Sequence, residues 1–501
     1  MKKEINKIYS TTLANWLQII LIVIGNLLFI PLILHSWDAN LLGVWMILIS
    51  LTQLIPLITF SHQSYLFNRA FILNIKKKVI INKEIISAIP IAIFFYLIII
   101  LFLYFSFKYN FLSNLLNIEK EYSEKFNISI LYLSLVYLFT YFYSHFFSGA
   151  ISVFGYYHIF AWTRVLRSFL NLIMPAIAIY FGASFLEAVY MLILSEFLSF
   201  LPYMLFLLTT LRKLSFKIYK PDFAKGLKSF NSSLIILINN SIDFAQKLGL
   251  RLILAVIFSP IYVSYFVSLR IFSNFVRLSI DSLREPFFPI IMNSFKRKKN
   301  NDIISLIELY WLISLFIICP ALILMQFFLP LIFEIWTLNK IQFQPVLFSF
   351  LLMSLLFYPL YLPLDIILRG FNENTKIFKI SLTIIFVFFI SFIVLIKFYS
   401  FISIGISILL SEICAMILYL NFVKQFLIKK KIKLNLILFN FSILFIFNTC
   451  FVLFLIANTD SNLFAFLYFI FSYIILTLNI KKICSNKSIF FVKNLITNII
   501  K

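Results

Sequence analysis

The sequence predicts an all-α, polytopic membrane protein with about fourteen transmembrane helices. Three observations predict it. Apolar residues make up 62% of the 501-residue chain and charged residues only 12%, against roughly 45–50% and about 25% in a soluble domain. The apolar residues fall in runs of about 20 or more, the length that crosses about 30 Å of hydrocarbon. The basic residues between those runs lie almost entirely on alternate sides, as the positive-inside rule requires. Mean hydropathy is +1.01, an excess that no water-soluble core would hold.

In chain order, the first run (12–34) follows "MKKEINK". It is long and lacks a small-residue cleavage pattern, so it reads as a retained span rather than a signal peptide. Further spans fall near 41–60, 85–107, 128–153, 159–181, 185–210, 232–258, 260–284, 303–330, 343–368, 377–396, 400–423, 433–456 and 462–480. With the N-terminus placed in the cytoplasm, the inner segments hold Lys2, Lys3 and Lys7, the cluster from Arg69 to Lys83, and that from Arg212 to Lys228. They also hold "KRKK" at 296–299, Arg369 with Lys376 and Lys379, the group from Lys424 to Lys433, and the C-terminal lysines. The outer segments hold only Lys108, Lys120, Lys125, Lys340 and Lys397. Both termini are therefore expected in the cytoplasm. One missed or extra span would invert the pattern downstream of it.

The net charge of +24 is thus a topology signal and an affinity for anionic lipid. Dispersal over many short loops argues against a nucleic-acid partner. No loop is long enough to fold as a catalytic domain, so the chain is not expected to be an enzyme. Cys319, Cys414, Cys450 and Cys484 have no paired spacing, which supports neither a disulfide framework nor a zinc site. Walker, Gly-x-Ser-x-Gly and His-Glu metal patterns are missing, so no cofactor or metal is expected. His35, His62, His145 and His158 sit near span ends and read as interfacial polar residues.

The spans expected to hold function are those that keep charges. "DFAQKLGLRLILA" at 243–255 carries Asp243, Lys247 and Arg251 every fourth residue, one face of a helix. Arg270, Arg277 and Arg284 recur every seven residues on the next span, with Asp281 between the last two; Arg164 and Arg167 form a shorter pair. A charge near a helix centre costs about 2.5–3.5 kcal/mol on insertion scales, so these side chains must face protein or water. Asp243 with Lys247 and Arg277 with Asp281 have the i,i+4 spacing of structural ion pairs. Arg164, Arg167, Arg251 and Arg270 have no acid one turn away on their own span, although Glu196, Asp365 and Glu412 on other spans are available. A cationic excess facing an interior suits an anionic substrate, and arginine's planar fork suits phosphate.

Several stretches together resemble a known family. They are "NLLGVWMILISLTQLIPLI", the turn "SGAISVFGYYHIFAWTRVLRSFLNL", and the central "DFAQKLGLRLILAVIFSPIYVSYFVSLRIFSNFVRLSIDSLREPFFPIIMNSF" with Pro286 and Pro289. The pattern is similar to that of the polysaccharide-unit flippases of the multidrug/oligosaccharidyl-lipid/polysaccharide exporter superfamily. That resemblance covers roughly residues 1–425 in order and spacing. It implies two pseudo-symmetric six-helix lobes, 1–220 and 221–425, around a central cavity that opens alternately to either side. Residues 426–501 add two spans and a basic tail. It further implies a bacterial inner-membrane protein that moves an oligosaccharide on a polyprenyl pyrophosphate for O-antigen, capsule or exopolysaccharide assembly. Its partners would be the lipid-linked substrate, membrane lipids and other polysaccharide-assembly proteins. Arg251, Lys247, Arg270, Arg277, Arg164, Arg167 and Asp243 would form the substrate-binding set. A drug or cation antiporter of the same superfamily is the alternative, though it would call for intramembrane carboxylates. A glycan polymerase would call for a large external loop.

Overall fold

The computed structural model describes residues 2–73, 78–151, 156–213, 217, 219–282, 284–297, 300–371, 373–432, 436–458 and 462–483. At some of these positions, Asp243, Lys247, His145, Pro286 and Pro289 among them, only the backbone is described. Cys484, the tail after residue 483 and two lysines of the 296–299 run lie outside the described residues.

The fourteen expected spans appear in order, and no strand occurs among the described residues. They are α1 (Lys2–Ser36), the bent pair α2 (Ala39–Leu54) and α3 (Leu57–Leu73), α4 (Lys78–Lys108), α6 (Lys120–Ile151), α7 (Tyr157–Tyr180) and α8 (Phe185–Lys213). After them come α9 (Phe223–Phe244) continuing into α10 (Leu250–Ile257), α11 (Pro260–Ser282), and α13 (Asn300–Ile313) continuing into α14 (Cys319–Trp336). The last five are α15 (Pro345–Gly370), α16 (Asn374–Tyr399), α17 (Ser403–Lys429), α18 (Leu436–Asn458) and α19 (Asn462–Ile483). Two short helices, α5 (Phe111–Leu115) and α12 (Arg284–Lys296), lie in the connections.

Local chemistry explains the breaks. Between α2 and α3 the axis bends by 44° at Pro56, which lacks the N–H that would continue the helical ladder and whose ring crowds the preceding turn. Asp38 starts α2 by accepting the Leu41 N–H at 2.8 Å, and Asp222 starts α9 by accepting the Lys225 N–H at 3.1 Å. Pro260 and Pro345 open α11 and α15, positions where a missing N–H costs nothing. At the α7–α8 turn Gly182 has φ +89°, a conformation that glycine alone adopts readily. Span 7 does not run as a uniform α-helix. A π-turn at Ala245–Gly249 separates α9 from α10, so the regular spacing expected to align 243, 247 and 251 is interrupted at its middle.

By contacts the chain forms two units: Met1–Val267 with Thr337–Ile341, and Ser268–Trp336 with Gln342–Lys501. This division differs from the expected boundary at 220/221. Span 7 builds into the first unit, because α9 packs along α3 and α4. There Gly226 lies against the Ser87 carbonyl, and the Asp222 N–H donates to Ser87 Oγ at 3.1 Å. The remainder of that unit is centred on α7, which packs between α1 and α8. In the second unit the apolar length of α15 is buried on all sides, with α17, α18 and α12 packed along it. The C-terminal pair α18–α19 belongs to this unit: the Trp311 ring of α13 packs 5.0 Å from that of Phe439 at a tilt of 55°, and Tyr473 donates to the Phe316 carbonyl at 3.1 Å.

Large apolar side chains lie outward along whole helices, such as Ile93, Phe94, Leu97 and Leu101 on α4. Such a surface requires lipid around it. By length and composition seven helices qualify as spans among the described residues, or eight with the bent pair α2–α3. α7, α9 and α11 do not qualify on that measure, because they keep the polar residues that build the interior.

Candidate functional site

On α7, Arg164, Arg167, Ser168 and Asn171 recur at helical spacing and share one face. That face meets Glu196, Ser199 and Tyr203 of α8 and Gln18 of α1 around a cavity of about 280 Å³. Phe160 and Phe200 supply its apolar walls and Thr140 of α6 a hydroxyl. Gln18 Nε2 donates to Ser168 Oγ at 3.3 Å, tying α1 to α7.

The two arginines are held differently. Arg167 grips Glu196 at two points, Nη2 to Oε2 at 2.6 Å and Nε to Oε1 at 3.1 Å, and lies over the Tyr137 ring. Asn171 also donates to Glu196 Oε1, while Ser195 Oγ donates to Asn171 Oδ1 at 2.7 Å. Arg164 donates to Asn15 Oδ1 at 3.2 Å and stands over the Phe160 ring at 5.4 Å. The charged side chains lining the cavity are thus two guanidiniums and one carboxylate.

The second unit holds a different polar centre. Arg277 of α11 pairs with Glu412 of α17 at 3.2 Å, and the Tyr361 hydroxyl donates to the other carboxylate oxygen at 2.6 Å. Arg277 also lies over the Tyr358 ring at 4.6 Å. Tyr358 donates to Asp281, and Arg284 reaches Asp365 at 3.1 Å. Asp365 further accepts from Arg369 at 2.8 Å and from Tyr419 at 2.8 Å. Three arginines (277, 284, 369) face three acids (281, 365, 412), so the formal charges of this cluster cancel. The i,i+4 pair expected between Arg277 and Asp281 gives way to a pair with Glu412, because α11 lies close enough to α17 for the longer carboxylate to reach.

Arg251 lies in α10 with Nη1 3.9 Å from Met46 Sδ on α2, and no carboxylate pairs with it among the described residues. It stands apart from the lining of the cavity on α7. Arg270, half-buried on α11, belongs to the second unit. The side chains of Asp243 and Lys247, and hence their expected pairing, lie outside the described residues. One histidine differs from the interfacial reading. His62 is buried in the first unit, 2.8 Å from Ser229 Oγ and edge-on to Phe230, because α9 covers α3 at that level.

The structure therefore brings Arg164 and Arg167 together in one cavity, places Arg277 in a charge-balanced cluster, and leaves Arg251 separate. Glu196 was recognisable in the sequence only as an acid available to some arginine. Asn15, Gln18 and Asn171 carried no signal at all.

No protein-family model matches the sequence, and no curated protein matches it. Solved structures do. A lipid II flippase MurJ in an inward closed conformation is 14% identical over 97% of this chain and 99% of that one, with a TM-score of 0.66. An inward-facing multidrug resistance MATE family transporter of the MOP superfamily is 14% identical over 80% of this chain and 94% of that one, with a TM-score of 0.59. The Vibrio cholerae MATE transporter VcmN in its bent form is 14% identical over 85% of this chain and 99% of that one, with a TM-score of 0.53. At such identities the likeness is one of fold: this is a multi-pass membrane protein with the transporter fold common to a lipid II flippase and the MATE transporters of the MOP superfamily.

Proposed function

We propose that the chain is a flippase carrying polyprenyl-pyrophosphate-linked oligosaccharide across the bacterial inner membrane, by alternating access, for surface polysaccharide assembly. The observation that supports this most is the cavity of the first unit, whose lining carries two guanidiniums against one carboxylate. In a low-dielectric wall such an imbalance favours an anion, and paired arginines supply the planar donors that phosphoryl oxygens accept. Arg164 and Arg167 are the leading binding residues. Arg251, Lys247 and Arg270 with Asp243 are further candidates for steps beyond this cavity, whereas Arg277, already paired with Glu412, is read as a structural tie. The fold likeness to a lipid II flippase is in keeping with a lipid-linked substrate, and the charge pattern with both termini in the cytoplasm.

A second reading rests on Glu196. A buried carboxylate on the same wall is what a drug or cation antiporter of this fold would use.

The deciding experiment uses cells lacking the native copy and complemented with variants. With Arg164→Ala or Arg167→Ala at normal protein level, surface glycan should fall and lipid-linked oligosaccharide should accumulate on the cytoplasmic leaflet. Normal glycan in both, together with efflux of a cationic dye that is lost in Glu196→Gln, would replace the flippase reading with the antiporter one.

A further inference from the structure

We propose that the cavity of the first unit takes one hydroxylated ring beside the anion, a single sugar bonded directly to the phosphoryl group, and that Thr163, Ser199 and Thr140 form the wall that receives its hydroxyls. The inference deepens the proposed function and rests on the reading of Arg164 and Arg167 as the anion-binding pair.

The cavity has two levels. α7 and α8 are joined by a short turn and pack along each other. Arg167 pairs with Glu196. Seven positions back on α7 and seven forward on α8, the rings of Phe160 and Tyr203 meet at 6.0 Å. That antiparallel register sets Thr163 level with Ser199 and Phe200, one helical turn (about 5.4 Å) from Arg167. α6 reaches the same level, because Phe139, next to Thr140, packs against Phe200 at 5.5 Å. Thr163, Ser199 and Thr140 all line the cavity. A level of hydroxyls thus adjoins the level of the arginines.

These hydroxyls are committed as donors. Thr163 Oγ1 donates to the Phe160 carbonyl at 2.9 Å, Ser199 Oγ to the Glu196 carbonyl at 2.9 Å, and Thr140 Oγ1 to the Tyr137 carbonyl at 3.4 Å. A hydroxyl has one proton and two lone pairs, so what remains for a ligand is acceptor capacity. Acceptors repel phosphoryl oxygens and suit a group that brings its own O–H donors. A sugar does so, and its C–H faces can lie against the rings of Phe160 and Phe200, which also line the cavity.

Donation to the preceding turn also satisfies a lone Ser or Thr inside a membrane helix and needs no ligand. Here, however, three such residues from three helices converge on one cavity with two arginines. Seven of its twelve lining residues are neutral and polar, whereas small-molecule pockets are lined mostly by apolar side chains. Size sets the limit on the ligand. A volume of about 280 Å³ is the room of roughly nine water molecules at about 30 Å³ each. That admits a phosphoryl group and one ring but not an oligosaccharide. Sugars beyond the first lie outside this cavity, which is blind to them.

The test uses the purified full-length protein in detergent, with calorimetry as the readout. The probes are farnesyl pyrophosphate capped on its terminal phosphoryl group by methyl, by glucose or by maltose, which keeps the charge constant. Wild type should bind the glucose probe about tenfold tighter than the methyl probe, the scale of one or two neutral hydrogen bonds. It should bind the maltose probe no tighter than the glucose probe. Thr163→Val keeps the side-chain shape and removes the hydroxyl. It should weaken the glucose probe about fivefold, the scale of one such bond, and narrow the preference over methyl by the same factor. Thr163→Ser should keep that preference. Ser199→Ala should act as Thr163→Val does and serves if the valine variant does not fold. A merely structural hydroxyl would lower stability and move the methyl and glucose probes together. That outcome overturns the proposal, as do equal binding of those two probes by wild type and a second gain from maltose as large as the first. Arg164→Ala separates the two readings. If it weakens all three probes while the Thr163 and Ser199 variants leave the glucose preference unchanged, only the sugar wall fails. If wild type binds none of the probes, or Arg164→Ala has no effect, the anion site itself is wrong and the sugar wall falls with it.

Discussion

Arg277 and Glu412, 135 positions apart in sequence, pair at 3.2 Å in the second unit, with Tyr361 donating to the second carboxylate oxygen at 2.6 Å. A cation predicted to meet either Asp281 or substrate is thus already compensated by another helix. This makes the pair a structural tie between α11 and α17 rather than an open charge. Glu412→Gln should lower thermal stability in detergent by about 1–3 kcal/mol, the cost of stranding a partly buried charge. Arg277→Gln combined with Glu412→Gln should recover most of that loss and retain glycan export. A double variant that is stable yet inactive would return Arg277 to the substrate path.

Arg251 presents the opposite case. Its near contact is the Met46 sulfur at 3.9 Å, a weak acceptor. If it meets phosphate during the cycle, Arg251→Lys keeps the charge but loses the fork, and export should fall only in part. Arg251→Ala should cut export more than tenfold, at roughly the strength of one charge-assisted hydrogen bond. Protein level should hold near wild type, because removing an intramembrane charge eases insertion. Surface glycan and retained lipid-linked oligosaccharide are the measurements, and normal values in Arg251→Ala would make the residue scaffolding.

Gly43 offers a purely steric test. A Cβ there would run into the Pro260 carbonyl, which is backbone and cannot swing aside. Gly43→Ala gains about 1 kcal/mol of helix propensity. It should nonetheless destabilise by about 1–3 kcal/mol net, as overpacked cores do, seen as a lower melting temperature in detergent. A neutral or raised melting temperature would show that the α2–α11 approach has slack.

Membrane topology can be mapped with an impermeant thiol reagent on single cysteines, in a background lacking the four native ones. The structure decides where to place them. Ser113, in the expected external loop, is buried and accepts from Ser123 and Asn127, whereas neighbouring Asn114 and Asn300, at the start of α13, are exposed. Asn114→Cys should label in intact cells, and Asn300→Cys only after permeabilisation. The reverse pattern would invert the proposed orientation.

Much of this architecture was legible before any coordinates. Helix number and order followed from run length, because hydrocarbon leaves the backbone no partner except itself. The boundary at Pro260 follows from one missing N–H, whereas the bend at Pro56 falls inside what reads as a single span at 41–60. The site was legible only in part. Arg164 and Arg167 stood out as charges in an apolar run, yet the features that distinguish them, Asn15 beside one and Glu196 beside the other, lie 149 and 29 positions away. Asn171 and Gln18 are unremarkable as letters and matter only through what they face.

By itself, then, the sequence determined that this chain crosses a membrane many times, and that certain cations must face away from lipid, since both follow from transfer energies summed along the chain. Tertiary structure alone decided which cations are compensated. It gave Arg277 a carboxylate and two tyrosine neighbours, closed Arg167 onto Glu196, and set Arg164 beside Asn15 and Phe160. It also built span 7 into the first unit and inserted a π-turn where a regular ladder of charges was expected. Pairing of this kind depends on which helices lie within about 4 Å of one another's side chains, and that distance is set by packing across the unit, which no local run of residues encodes.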